Sequence, residues 1–185
     1  MVNKILKDAL DRMTKAVEVV RNELAHLRTG RATTALLDSV RVDYYGTPTP
    51  LRQVANIGIP DVHSITVQPW DKSMVDPVEK AILGAGLGLN PINDGNIIRV
   101  PIPPLNEERR KELVKVAKKF VEEGRVAVRN VRRDCIEHLK KAEKDEHFSE
   151  DERRRGEQEA QKLTDKRIKE IEELVVLKEK EIMEV

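Results

Sequence analysis

Near the start of the chain the apolar positions Leu6, Leu10, Met13, Val17, Val20, Leu24 and Leu27 recur at alternating steps of four and three. That spacing sets all seven on one seam of a helix in near-heptad register, with polar residues on the other faces. The helix is expected to stop near Thr29, because Gly30 readily takes the left-handed conformation that closes helices. A second helical period opens after Asn106, whose side chain suits an N-cap, and Glu107 and Glu108 fall in a first turn where negative charge complements the helix dipole. Leu113, Ala117, Phe120, Gly124, Ala127, Val131, Cys135 and Leu139 carry it on, for about 35 residues or roughly 50 Å. A break follows at 145–149, where Ser149 with Glu152 matches the capping-box pattern. Beyond it Ala160, Leu163, Ile168, Ile171, Leu174, Val175 and Ile182 keep helical spacing less regularly, predicting a third long helix.

Between these helices the pattern changes. Residues 32–105 hold nearly all the prolines and glycines, with short β-branched runs bounded by turn residues. The candidate strands are 40–45, 54–59, 64–69 and 96–100. Between the last two, Ser73 is expected to cap a short helix through Val75, Val78, Ala81 and Ile82, with Pro77 in its first turn. Pro101, Pro103 and Pro104 form a stiff extended connector.

The first helix is too short and too amphipathic to stand alone, so it should pack with the two C-terminal helices. The expected fold class is α+β, an elongated three-helix bundle made from residues 1–29 and 106–185. A small β/α/β domain, residues 32–104, is inserted through two neighbouring connectors. Those connectors, Thr29, Gly30 and Arg31 on one side and Pro103, Pro104, Leu105 and Asn106 on the other, form a two-strand hinge or else a rigid interdomain contact.

Composition sharpens this picture. Hydrophobic residues are 39%, charged residues 36% and aromatics only 3% of the 185, which suits long solvent-washed helices better than a thick core. The single Cys135 excludes an intramolecular disulfide and is expected to be a buried structural thiol in a reducing compartment. No apolar run reaches membrane-spanning length and the N-terminal residues carry charge, so a cytoplasmic protein without a membrane partner is expected. The net charge of +1 argues against a nucleic-acid partner until its distribution is considered. Residues 109–141 hold twelve Lys/Arg against five Asp/Glu, a balance of +7, whereas residues 143–185 hold ten against fifteen, a balance of −5. A basic helix beside an acidic one admits two readings: the two attract each other inside a bundle, or the basic one meets phosphate.

Catalysis finds no support in the sequence, and neither a cofactor nor a metal is expected. Gly84-Ala85-Gly86-Leu87-Gly88 lacks the flanking strand and helix of a nucleotide-binding loop and reads as the end of a helix. Asn93-Asp94-Gly95-Asn96 reads as a tight turn rather than a calcium loop. His26, His63, His138 and His147 show no zinc-like spacing with one another or with Cys135, and no Ser/His/Asp set stands out. The basic signal is sharper. Arg125, Arg129 and Arg132 lie at i, i+4 and i+7 with Arg133 beside them, a stripe on one helix face whose planar guanidinium forks suit phosphate. Arg28 and Arg31 flank the hinge and extend the footprint if the first helix ends beside the stripe. With so few aromatics, backbone and shape recognition of folded RNA is expected over base stacking. The alternatives are a solvated helix face, an adaptor that uses the heptad seam to bind other proteins, and a small hydrolase with a polar pocket in the α/β domain.

Longer motifs carry a resemblance. Arg28-Thr29-Gly30-Arg31-Ala32, Asp43-Tyr44-Tyr45-Gly46-Thr47-Pro48-Thr49-Pro50-Leu51, Trp70-Asp71-Lys72-Ser73 and Gly88-Leu89-Asn90-Pro91 resemble the ribosome recycling factor family. So do Pro103-Pro104-Leu105 with Glu107-Glu108-Arg109-Arg110-Lys111, Val128-Arg129-Asn130-Val131-Arg132-Arg133-Asp134 and Gln161-Lys162-Leu163-Thr164-Asp165, in the same order along nearly the whole chain. The resemblance implies an L-shaped monomer whose bundle has the dimensions of a transfer-RNA arm. It implies entry into the intersubunit space of the post-termination ribosome, contact with large-subunit ribosomal RNA, and subunit splitting with elongation factor G and GTP. It carries RNA contact onto Arg129, Arg132 and Arg133, with Arg28 and Arg31 at the hinge end, while Arg125 rests on the helical-face argument alone. Asn106 stands where the family commonly has threonine, another capping residue. Gly156 is less easily explained, since glycine inside a helix costs roughly 0.5–1 kcal/mol relative to alanine unless close packing requires it.

Overall fold

The computed structural model describes residues 2–146 and 148–184. His147, one of the histidines weighed above, lies outside the described residues. The chain divides into two compact units, one made of the residues up to Leu27 together with those from Arg110 onward, the other of Arg28–Arg109.

The first unit contains three helices, α1 (Val2–Ala25), α3 (Glu107–Glu146, whose first turn precedes the unit) and α4 (Glu150–Met183). They share one core, in which Met13, Val17 and Val20 of α1 meet Ala117, Val121, Val128 and Leu139 of α3 and Ala160 and Ile171 of α4. Local chemistry fixes the helix starts. Asn106 Oδ1 accepts from the Arg109 amide at 2.7 Å, and Ser149 and Glu152 complete a reciprocal capping box at the head of α4. α3 runs 40 residues rather than the expected 35, because nothing between Leu139 and Glu146 breaks it. α1, by contrast, ends at Ala25 rather than near Thr29. Its last turn tightens to an i→i−3 bond from Leu27 to Leu24, and the Asn22 carbonyl is shared by the His26 amide and the His26 ring Nδ1. Gly30 does take positive φ, +74°, but in the connector beyond. The buried seam of α1 passes through Ala9 rather than Leu10, and that of α3 through Val121 and Val128 rather than Phe120 and Ala127.

Two glycines mark close helix approach. A Cβ on Gly124 would overlap Val20 Cγ2 of α1 and lie 3.3 Å from Ile171 Cδ1 of α4. A Cβ on Gly156 would sit 3.1 Å from both Leu139 methyls and 3.3 Å from Val2 Cγ1, so the glycine that sequence leaves unexplained is a packing glycine. Cys135 is buried in the same core, and burial pushes its thiol pKa up. Arg12 Nη2 of α1 meets Asp134 Oδ2 of α3 at 2.6 Å and holds that carboxyl below the usual range.

The second unit packs helix α2 (Val75–Gly84) and a β1–β2 hairpin (Arg41–Tyr44, Thr47–Pro50) with an antiparallel four-stranded sheet. That sheet has the order β3-β4-β6-β5 (Ala55–Asp61, Ser64–Pro69, Ile98–Pro101, Ile92–Asn93). Val40, Val42, Leu51, Ile65, Val67, Val78, Ile82, Ile98 and Val100 form its core. Strands β2 and β5 are additions to the expected set. The helix cap also differs, since Asp71 rather than Ser73 caps the 3-10 turn leading into α2, and Pro77 occupies the first turn of α2 as expected. Gly86 and Gly88, both at positive φ, follow the end of α2, and Asn93-Asp94-Gly95-Asn96 forms the β5–β6 turn with Gly95 at +98°. Both chain connections to the unit are tied to one turn: Ala32 N donates to Val62 O and Ile102 N to His63 O, each at 2.7 Å.

Candidate nucleic-acid interface

Helix periodicity places Arg125, Arg129, Arg132 and Arg133 along a common face of α3, but their partners divide them. Arg125 is ion-paired twice, to Glu122 of its own helix at 2.9 Å and to Glu172 of α4 at 3.6 Å, and its side chain is only 27% exposed. Arg129 is more open and touches Glu122 loosely at 3.9 Å. Arg132 Nη1 donates to Gln161 Oε1 of α4 at 2.6 Å, and Gln161 in turn donates to Asp165 at 2.8 Å. Arg133 Nη2 donates to Asn130 Oδ1 at 2.7 Å.

Chemically these are different situations. A phosphate reaching Arg125 must displace two carboxylates, whereas at Arg132 and Arg133 it replaces a neutral amide oxygen with a charged acceptor, a stronger hydrogen bond. The reading in which the two helices attract each other is seen in part of the charge split. Arg125 and Lys118, which meets Glu179 at 3.5 Å, bind the basic helix to the acidic one, while much of the acidic charge on α4 is answered by i, i+3 and i, i+4 pairs such as Arg154–Glu150 and Lys162–Glu159. Glu122 could be read from its spacing to Arg125. Gln161 and Glu172 could not, because the relative register of two helices is absent from either periodicity.

Arg28 and Arg31 belong to the other unit. There, with Arg109, they border a cleft of about 230 Å³ lined also by Gly30, Gly88 and Pro103. Of the connector residues, Thr29 is buried, and Gly30 packs so closely on Leu105 that a Cβ would lie 3.0 Å from Leu105 Cγ. Among the described residues no cluster of three or more His, Cys, Asp or Glu could hold a metal ion, and no helix is long and apolar enough to cross a membrane.

A three-helix core carrying a run of arginines along one helix, in a chain with a separately cored α+β unit, defines an α+β protein of two units with a candidate anion-binding helix face. The chain belongs to the ribosome recycling factor family, whose profile matches residues 20–183. It is 59% identical over 181 residues to the ribosome-recycling factor of Solidesulfovibrio magneticus, covering 98% of each chain, and 57% identical over 185 residues to that of Symbiobacterium thermophilum, covering all of both. Among solved structures it is similar to a ribosome recycling factor in solution, with TM-score 0.82, 49% identity and coverage of 100% of this chain and 98% of that one. It is also similar, with TM-score 0.69, 45% identity and full coverage of both, to a chain from a structure of the T. thermophilus ribosome recycling factor and the E. coli elongation factor G bound to the E. coli post-termination complex.

Proposed function

We propose that this chain acts as a cytoplasmic, monomeric translation factor. It promotes disassembly of the post-termination ribosomal complex together with elongation factor G and GTP, and itself hydrolyses nothing. Family membership over the full length supports the activity, as does a structural relative bound with elongation factor G to a post-termination complex.

The RNA contact is assigned to α3, with Arg129, Arg132 and Arg133 as its main cations, and Arg28 and Arg31 adding contacts from the second unit. The observation that carries this assignment is that Arg132 and Arg133 donate their hydrogen bonds to the neutral amides of Gln161 and Asn130 rather than to a carboxylate. Arg125, neutralised by Glu122 and Glu172, contributes less. In this reading the bundle supplies affinity for large-subunit RNA in the intersubunit space. The inserted unit turns on a hinge at Thr29, Gly30 and Arg31 with Pro103, Pro104, Leu105 and Asn106, and passes the push of elongation factor G into the intersubunit contacts.

The test is light scattering of post-termination ribosomes mixed with the protein, elongation factor G and GTP. Splitting requires all three, and Arg132→Ala impairs it more than Arg125→Ala. Binding weakens steeply with salt, as phosphate contacts require. Equal effects of the two substitutions would move the RNA contact elsewhere, and affinity that holds or rises with salt would favour the adaptor reading. A disulfide linking the two connectors leaves ribosome binding intact and impairs splitting; unimpaired splitting rejects the hinge.

A further inference from the structure

The chain holds one Trp and two Tyr, and all three line a single open groove of about 690 Å³ in the Arg28–Arg109 unit. Tyr45 is 78% exposed, Trp70 70% and Tyr44 40%, a large aromatic area to leave in water when the chain has so few aromatics. The two tyrosine rings stand edge to face with centroids 4.7 Å apart. Tyr45 and Gly46 form the two-residue turn between β1 and β2, both at positive φ (+49° and +83°). Tyrosine is an unusual choice there, where Asn, Asp or Gly is favoured, and such an outlier is kept where the side chain has a use.

Among the residues lining the groove the one charge is Asp71. Its Oδ1 accepts from Ser73 N at 2.9 Å and Ser73 Oγ at 2.8 Å, which fixes the carboxylate. Its Oδ2 receives only a long bond, 3.5 Å, from the Tyr45 hydroxyl and so keeps capacity for a stronger donor. Those hydrogen bonds also hold the Asp71 carboxyl below its usual range, so it is ionised at neutral pH. Aromatic faces beside an anchored carboxylate attract a cation. They disfavour nucleic acid, because stacking platforms for bases are accompanied by Lys or Arg for the phosphates, and no Lys or Arg lines this groove. Strand addition is also blocked at the groove wall, since Pro48 and Pro50 of β2 have no amide hydrogen to offer. Recognition must therefore run through side chains.

We propose that the groove formed by Tyr44, Tyr45, Trp70 and Asp71 is a docking site for a Lys or Arg side chain projecting from a protein partner. The groove is larger than one guanidinium needs, so the partner contributes flanking residues as well. The proposal stands independently of the arginine interface, since the two share no residue.

Trp70, the single tryptophan, reports directly. The intact protein is titrated with the blocked peptide acetyl-Gly-Ser-Arg-Ser-Gly-amide, with the same peptide carrying Gln for Arg, and with oligouridylate, while Trp70 emission is followed. The Arg peptide gives a saturable change, and the other two give none. Asp71→Asn and Tyr45→Asn each weaken the Arg peptide by about tenfold or more, with far-UV circular dichroism confirming the fold. Tyr45→Asn suits the positive φ, so at least one variant folds whatever the loss of the Asp71 cap does. Equal response to the Gln peptide, saturation by oligouridylate instead, or no saturation by the Arg peptide on folded protein overturns the proposal.

Discussion

Gly124 sets helix propensity against helix packing. In the middle of a 40-residue helix alanine would be favoured by about 1 kcal/mol. The methyl it brings, however, falls within overlap distance of Val20 Cγ2 and 3.3 Å from Ile171 Cδ1, in a core where Val20 is 1% and Ile171 0% exposed. Overpacking of that kind costs about 1–3 kcal/mol, and the overlap puts this site toward the upper end. Gly124→Ala is therefore expected to destabilise the bundle by about 1–2 kcal/mol despite its better propensity. Val20→Ala alone removes two buried methyl groups and costs about 2 kcal/mol. Together the two changes should nearly cancel sterically, because the methyl added at position 124 enters the space that the valine leaves. The double variant should then lose only about 1 kcal/mol, against a sum of about 3–4, a coupling of about 2–3 kcal/mol. Urea unfolding followed at 222 nm, where helix dominates, measures the cycle. Trp70 emission, which reports the other unit, serves as an internal control. Additive singles, or a Gly124→Ala protein more stable than the parent, would refute the packing argument.

Gly156→Ala should behave differently. Its methyl meets only the ends of Leu139 and Val2 at 3.1–3.3 Å, which can give way, so the propensity gain of about 1 kcal/mol offsets the crowding and the same unfolding assay should show little net change. Asp134 is held below its usual pKa by Arg12, so the Arg12–Asp134 pair adds stability above the unfolded value near 3.8, and this is lost as pH falls through the lower folded value. Asp134→Asn should thus lower stability at neutral pH and flatten the fall below pH about 4, seen in urea midpoints measured across pH. Cys135 is buried with its thiol pKa raised, so it should react with an aromatic disulfide reagent only as the bundle opens, at a rate that rises with urea in step with the loss of helix.

The features that could be read from sequence are the ones decided locally. The Ser149–Glu152 box and the Asn106 cap depend on residues three apart, and both formed. The three long helices and their shared core followed from apolar spacing, although the face drifted. A seam drawn at 3.5 residues per turn reaches Leu10, where a straight helix buries Ala9. β2 is hidden in the sequence because Pro48 and Pro50 read as loop, yet both are tolerable in the outer strand of a two-stranded hairpin. At the site, the arginine stripe was visible in α3 alone. What distinguishes Arg125 from Arg132 is the choice between Glu172 and Gln161 on α4, a matter of how two helices slide past each other, which neither helix encodes by itself.

The tie of both connectors to the Val62–His63 turn has a consequence for how the chain assembles. α1 leads the sequence but has no core of its own, and the helices that complete it come after an intervening stretch running from Arg28 to Arg109. Closing a flexible loop on the order of 80 residues costs roughly 4 kcal/mol of chain entropy, which would otherwise fall on the docking of one short helix. Once the α+β unit has folded, its own hydrogen bonds hold the two ends together and most of that cost has already been met. The order of events implied is that the inserted unit forms before α1 docks against the C-terminal helices. Loosening the Ala32–Val62 or Ile102–His63 bond should then slow formation of the bundle even though neither lies within it.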